Sequence, residues 1–407
     1  MTKPIDHDVI IAGGGLAGAA AGLALSFAGL DTLVLDAGPA PEGTEPFDGR
    51  AYSVPPGSLN FWRAVGVWER VAAEAEPMRD ILVSDGRVSE GASPLFLHFD
   101  HREMENGVFG QMIEDRHLRP AAFAALNEMA SLRHGARVVS MRVEPGRAVA
   151  ALDDGEEISA RVIIAADGRE SPLRAAAGIG RAAWAYGQSG MVSAVSHEEK
   201  HHGVAHELFL PGGPFAILPL KGRRSSLVWT ERREEAGRIH ALPDDFYLSE
   251  LEARFGDFLG ELKLEGRRWT YPLHFSLAHE YAAPRLALLG DAAHAVHPIA
   301  GQGLNLGVRD AAALAQVLAE AMRRGEDIGD IAVLRRYQQW RRFDSAALAL
   351  SMDALNRLFS NDIGPLRALR DLGLGALNRA PGAKRFFMRA ASGLSGETPR
   401  LMRGEPV

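Results

Sequence analysis

Residues 9–30, VIIAGGGLAGAAAGLALSFAGL, run for twenty-two positions without a charge. That length is enough for a helix to cross a bilayer. Gly14, Gly18 and Gly22 even share the four-residue spacing of dimerising membrane helices. The local order of residues argues otherwise. Val9, Ile10 and Ile11 are β-branched and suit a buried strand. A glycine triplet, 13–15, follows at once, and each glycine inside a helix costs about 1 kcal/mol relative to alanine. In a strand–turn–helix unit the glycines have separate uses. Gly13 makes the tight turn, Gly15 lets a pyrophosphate approach the backbone, and Gly18 lets the helix pack closely on the strand. The spacing predicts a phosphate site at the start of a helix over 16–29, where Leu16 and Ala17 begin the helix. Residues 31–36, DTLVLD, read as a second strand ending in Asp36, 18 residues beyond Gly18 and suited to the hydroxyls of an adenosine ribose.

The rest of the composition narrows the class. With 407 residues the chain has room for two or three domains, or one domain with an insertion. The net charge of −7 and the lack of a long basic run argue against nucleic acid as a partner. There is no cysteine, which excludes disulfides, thiolate nucleophiles, iron–sulfur clusters and cysteine zinc sites, and fits a reducing compartment. The first residues, MTKPIDHDV, do not form a secretory signal, so a cytoplasmic location is expected. No metal site is expected. The run Ser196–His202, with His206 and Glu207, is charged and reads as a solvated loop between strands rather than a zinc site.

Two later segments change which nucleotide is expected. Residues 160–174, ARVIIAADGRESPLR, form an apolar strand ending at Asp167-Gly168. Residues 285–310, RLALLGDAAHAVHPIAGQGLNLGVRD, read as a buried strand over 286–289, then Gly290-Asp291, then a loop from Pro298 to Gly303, then a helix from about 304 to 323. Asp291 falls at the carboxyl end of the sheet, where ligands bind and where it can accept hydrogen bonds from a polyol. The amides of Gly303, Leu304 and Asn305 would form an anion site at the helix start. His294 and His297 lie close by, and packing and loop hydrogen bonds account for them better than acid–base catalysis does.

Together these motifs resemble the class A flavoprotein aromatic hydroxylases, which have the fold of para-hydroxybenzoate hydroxylase. The fourteen residues 297–310, HPIAGQGLNLGVRD, resemble the signature of the ubiquinone-biosynthesis hydroxylases. Residues 48–50, DGR, and 213–220, GPFAILPL, add to the likeness. The resemblance implies an α/β protein: a Rossmann-like FAD-binding domain, an inserted antiparallel-sheet substrate domain and a C-terminal helical region. The FAD domain would comprise residues 1–76, 111–182 and 281–330. Residues 77–110 would add strands to a substrate domain at 183–280, which would roof the flavin, and 331–407 would be helical.

The same resemblance implies roles for individual residues. Gly13, Gly15, Leu16, Ala17 and Gly18 would hold the pyrophosphate of FAD, and Asp36 the ribose. Arg50 would contact the cofactor at the sheet edge, while Gln111 and Arg116 would reach its ribityl and phosphate region. Gly290 and Asp291 would hold the ribityl chain, and Asp167 would influence both cofactors. Gly301, Gly303, Leu304 and Asn305 would face the pyrimidine edge, and Pro298 would line the face that reacts with oxygen. NAD(P)H or another electron donor would reduce FAD, and O2 would yield a C4a-hydroperoxide that hydroxylates a polyprenyl-phenol.

Several readings stay open at this point. The substrate can instead be another aromatic or isoprenoid compound, or the chain a non-catalytic FAD-bound scaffold in a biosynthetic complex. The basic–aromatic segment 384–389, KRFFMR, reads either as a peripheral contact with the inner face of a membrane or as a helix docked on the FAD domain or a second subunit.

Overall fold

The computed structural model describes residues 4–40, 47–88, 91–103, 107–394 and 396–407. The uncharged N-terminal stretch is a strand, a turn and a helix: strand His7–Ala12 enters the glycine triplet and helix Leu16–Phe27 leaves it. Among the described residues no helix is long and apolar enough to cross a membrane. Strand His7–Ala12 pairs in parallel with Thr32–Asp36 on one side and with Glu157–Ala165 on the other. Ser131–His134 and Leu286–Leu288 extend this parallel core outward. Val9, Ile10, Ile11, Ile163 and Ile164 are fully buried, which explains the unbroken apolar runs in both central strands. Helices Leu16–Phe27, Asp115–Met129 and Gln302–Arg323 pack into the same core.

A second sheet is built from eight strands among the described residues. Its order is His294–Ala295, Leu262–Ala278, Arg181–His197, Arg224–Arg232, Gly213–Leu220, Val204–Leu210, Asp80–Arg87 and Gly91–Asp100. The sheet is antiparallel with one exception: Val204–Leu210 runs parallel to Asp80–Arg87. Those two strands belong to distant parts of the chain, so no tight hairpin imposes an antiparallel pairing on them. One face is covered by helices Arg233–His240 and Asp244–Phe255, which pack Ile239, Leu251 and Phe255 against Leu208, Phe215 and Trp229. Because side chains alternate along a strand, Ala205, Glu207 and Phe209 point away from that cluster, and all three line a large cavity.

The chain closes with helices Ile331–Phe359, Gly364–Asn378 and Pro381–Ala391. They are fixed to the strands at 80–100 and the turn His101–Glu103 that follows. Arg370 Nη2 donates to Asp85 Oδ2 at 2.9 Å, Arg87 pairs with Asp362 at 2.6 Å, and Lys384 pairs with Glu103 at 2.6 Å.

Candidate functional site

The glycine turn is shaped by main-chain contact. Gly13 has φ +106°, and a Cβ there would lie 2.2 Å from the Ala166 carbonyl oxygen. A Cβ on Gly18 would lie 1.9 Å from the Gly13 oxygen, whereas one on Gly15 would meet nothing within 4 Å. So Gly13 and Gly18 make room for the fold, and Gly15 leaves an open approach to the backbone at the helix start. Leu16 is buried beneath that start. Ala17 packs against the second ligand-facing segment: its Cβ is 3.2 Å from the position a Cβ would take on Gly290 and 3.0 Å from that on Gly307. The small residues bring helix Leu16–Phe27 and helix Gln302–Arg323 close together near their N-termini.

Asp36 clamps the turn. Its Oδ2 accepts from the Gly14 amide at 2.7 Å and its Oδ1 from the Gly38 amide at 2.6 Å. Asp167 follows strand Glu157–Ala165 and lies beside the turn. Its Oδ2 accepts from the Leu173 amide at 3.3 Å, while its buried Oδ1 has no hydrogen-bond partner among the described residues. Burial, partly offset by hydrogen bonds, raises the Asp167 pKa above the ordinary carboxylate value.

Gly301 adopts the left-handed conformation, φ +62°, at the N-cap of helix Gln302–Arg323. Asn305 in the first turn donates from Nδ2 to Ser53 O at 2.9 Å and to Gly301 O at 3.1 Å, and its buried Oδ1 has no partner among the described residues. Gly303 has open space where a side chain would be. Gly301, Gly303, Leu304, Pro298, Asp291 and Arg50 all line one cavity of about 960 Å³, near the upper end of the range for small-molecule sites.

The Asp291 side chain is open to this cavity, yet protein atoms surround the cavity itself. That crowding raises its pKa, with His294 and Arg169 pulling the other way. Arg50 is held on the wall by Asp48 at 2.6 Å and Asp115 at 3.2 Å, with its guanidinium over Trp269. Gln111 and Arg116 sit elsewhere. Gln111 lies on strand Gly110–Glu114 between Val54 and Pro77, and Arg116 pairs with Glu114 at 2.7 Å beneath Phe47; neither is on the cavity wall.

Residues 6–348 match the FAD binding domain family. The chain belongs to that family. It is similar to the ubiquinone hydroxylase UbiL of Rhodospirillum rubrum, with 44% identity covering 98% of this chain and 93% of the relative. The 3-demethoxyubiquinol 3-hydroxylase of Escherichia coli shares 34% identity over 95% of this chain and 98% of its own. Among solved structures, p-nitrophenol 4-monooxygenase PnpA of Pseudomonas putida has the same fold: TM-score 0.79 at 19% identity, covering 97% of this chain and 100% of that one. The FAD-binding family and these flavoprotein hydroxylases account for a chain that is an FAD-dependent aromatic monooxygenase by family.

Two parts of the site depend on contacts between distant segments. The first lies under the Gly290-Asp291 turn. Asp310, fully buried, accepts from His294 Nε2 at 2.6 Å, from Arg341 Nε at 2.8 Å and from the Gly290 amide at 3.2 Å. Burial opposes its charge, but His294 and Arg341 outweigh burial and hold its pKa below the ordinary value. His294 is thus committed to holding the turn that presents Asp291. His297 is fully buried and edge-on to Tyr186, and burial lowers its pKa to about 4. Asp310 closes the 297–310 segment, so its presence was visible, but its partner Arg341 lies 31 residues further on. The second part is the cavity's apolar end, where Leu348, Met352, Leu355, Leu374 and Leu377 of the C-terminal helices face Val83, Leu97 and Phe209 of the second sheet. The zinc-like histidines are engaged in the fold: His197 bonds Ser225 Oγ and Glu199 O, and His201 bonds Leu220 O.

Proposed function

We propose that this chain hydroxylates the phenolic ring of a polyprenylated ubiquinone precursor, using FAD, an electron donor such as NAD(P)H, and O2. The observation that carries the reading is the continuity of the cavity. It begins at Asp291 and the start of helix Gln302–Arg323, passes under the second sheet, and ends among leucines of the C-terminal helices. A ring with a long apolar tail matches that sequence of polar and apolar walls.

The residues suit FAD. The open approach at Gly15, the oxygens of Asp167 and Asn305 that have no partner among the described residues, and the Asp291 carboxylate facing the cavity suit a polar ligand. Gly13, Gly15, Leu16, Ala17 and Gly18 would hold the pyrophosphate at the helix start. Asp36 would take the ribose with lone pairs left over from its two amide contacts. Gly290 and Asp291 would hold the ribityl hydroxyls, and Gly301, Gly303, Leu304 and Asn305 the pyrimidine edge. Arg50 and Asp167 would complete the shell, with Pro298 on the ring's face. When bound, the flavin supplies the redox chemistry and oxygen activation. The chain's own part is to orient the phenol and exclude water, which the apolar wall does. We place the division between FAD-binding and substrate-binding segments at the boundaries read from the sequence.

We further propose peripheral contact with a membrane, through the cavity mouth. Leu358, Leu369 and Phe387 both line the cavity and are exposed, Leu369 by 66%, and Ile363 and Leu372 extend the patch. An apolar patch of this kind at the mouth of an apolar cavity suits a lipid-dissolved substrate.

Two experiments test the reading. In a strain lacking the gene, mass spectrometry of lipid extracts should find an under-hydroxylated prenylphenol, and normal quinone without that intermediate removes the pathway assignment. Replacing Leu369 and Phe387 together with Asp should abolish co-sedimentation with anionic vesicles while leaving FAD binding intact; unchanged co-sedimentation removes the membrane contact.

A further inference from the structure

Two carboxylates line the cavity among the described residues: Asp291 at the flavin-facing end, and Glu207 on the roofing sheet. Glu207 is the anomaly. Across six strands, the residues directly opposite one another are Val192, Val228, Ala216, Glu207, Val83 and Leu97. All six line the cavity, and five are apolar. An apolar residue at 207 would complete the wall at lower cost, because an unpaired carboxylate loses solvation there.

Among the described residues the Glu207 side chain has neither a hydrogen bond nor an ion pair, and burial alone raises its pKa to about 7. Among the described residues, none of the other charged and titratable groups on the wall pairs with Glu207. Arg50 and Tyr52 bond Asp115, Arg370 bonds Asp85, and Arg169 acts on Asp291. Burial lowers the pKa values of His206 and His274 and raises that of Tyr271, so each favours its neutral form. The acid therefore faces the cavity with its hydrogen-bonding capacity unused.

We propose that Glu207 is the catalytic base that takes the proton from the substrate's phenolic hydroxyl. The O–H bond breaks, its electron pair stays on the phenol oxygen, and the proton passes to the carboxylate, leaving neutral Glu207 and a phenolate. The charge is delocalised onto the ring carbons, which makes the ring more reactive toward an electrophilic oxygen. A base that titrates near the working pH is effective in such a transfer, and a perturbed carboxylate in a cleft is where such a base is expected. The assignment rests on the phenolic substrate proposed above.

The test uses FAD-loaded enzyme and 2-farnesylphenol, comparing the unchanged chain with Glu207→Gln and Glu207→Asp. The unchanged enzyme should hydroxylate the probe with a rate that rises through a pKa near 7. Glu207→Gln should bind FAD normally and still oxidise NAD(P)H, but release peroxide in place of product, with hydroxylation down by about 100-fold. The rising limb of the pH profile should vanish in that variant and return in Glu207→Asp. A Glu207→Gln enzyme with unchanged rate and pH profile overturns the assignment. If the unchanged, FAD-loaded enzyme itself yields no hydroxylated probe, the phenolic reading fails, and this assignment with it.

Discussion

Gly13, Gly15 and Gly18 shape the glycine turn with main chain, whereas Val83, Leu97, Ala216 and Glu207 shape the roof of the cavity with side chains. At the first end the distances leave no slack, since added Cβ atoms at Gly13 and Gly18 would meet carbonyl oxygens at 2.2 and 1.9 Å. At the second, strands from four separate parts of the chain and three late helices each contribute a few atoms to an open wall. The first end tolerates almost no change in residue type. The roof tolerates changes in apolar shape and is sensitive mainly where charge is buried.

The largest effect should separate glycines that differ only in what surrounds them. Gly18→Val drives two methyl groups and a Cβ into the Gly13 carbonyl, and overpacking of that kind costs about 3 kcal/mol or more. Thermal unfolding should show the loss before any cofactor is added. Gly15→Ala should leave the unfolding temperature of the apoprotein unchanged and weaken FAD in a fluorescence titration. If both variants destabilise the apoprotein equally, the contrast between the two glycines is wrong.

At the roof, Arg370→Met should be the costly change. Arg370 is buried, and it serves Asp85 together with the carbonyls of Leu358, Phe359 and Asn361. Removing one member of a buried pair typically costs about 3 kcal/mol, which denaturant unfolding would resolve. Burial already raises the Asp85 pKa despite Arg370, so the pair holds the C-terminal helices in place more than it adds net stability.

Asp291→Ala should keep the fold and weaken FAD by about 10- to 100-fold, the worth of one or two charge-assisted hydrogen bonds. Absorbance of the purified protein would report it, and full flavin occupancy would remove Asp291 from the site. The smallest effects are on pH dependence. The Glu207 pKa is raised from 4.5 to about 7 in the folded chain, so it favours folding at low pH and this stability is lost as pH rises through that window. Asp310 is the reverse case. Its folded pKa is depressed below 3.8, so its contribution is present above that value and lost as pH falls further. Melting temperatures of Glu207→Gln should therefore exceed those of the unchanged chain at pH 8 and converge toward them near pH 5. Parallel curves at all pH values would show that Glu207 is not desolvated.

Some of this was legible in the residues and some was not, for a physical reason. The glycine triplet, the strand ending at Asp36 and the 297–310 segment are local, because a turn that brings main chain to a phosphate must be built from consecutive residues without side chains. That made the parallel sheet, the glycine turn and a helix start near residue 304 legible from sequence alone, and the helix begins two residues earlier, at Gln302. The parallel pairing of Val204–Leu210 with Asp80–Arg87, the hold of Arg341 on Asp310, and the lone acid in an apolar row were decided by tertiary structure. Each depends on strands or helices brought together from distant segments, and a single glutamate looks the same in a sequence whether it faces water or a cavity. Only the packing around position 207 points its carboxylate into an apolar cavity with no partner among the described residues.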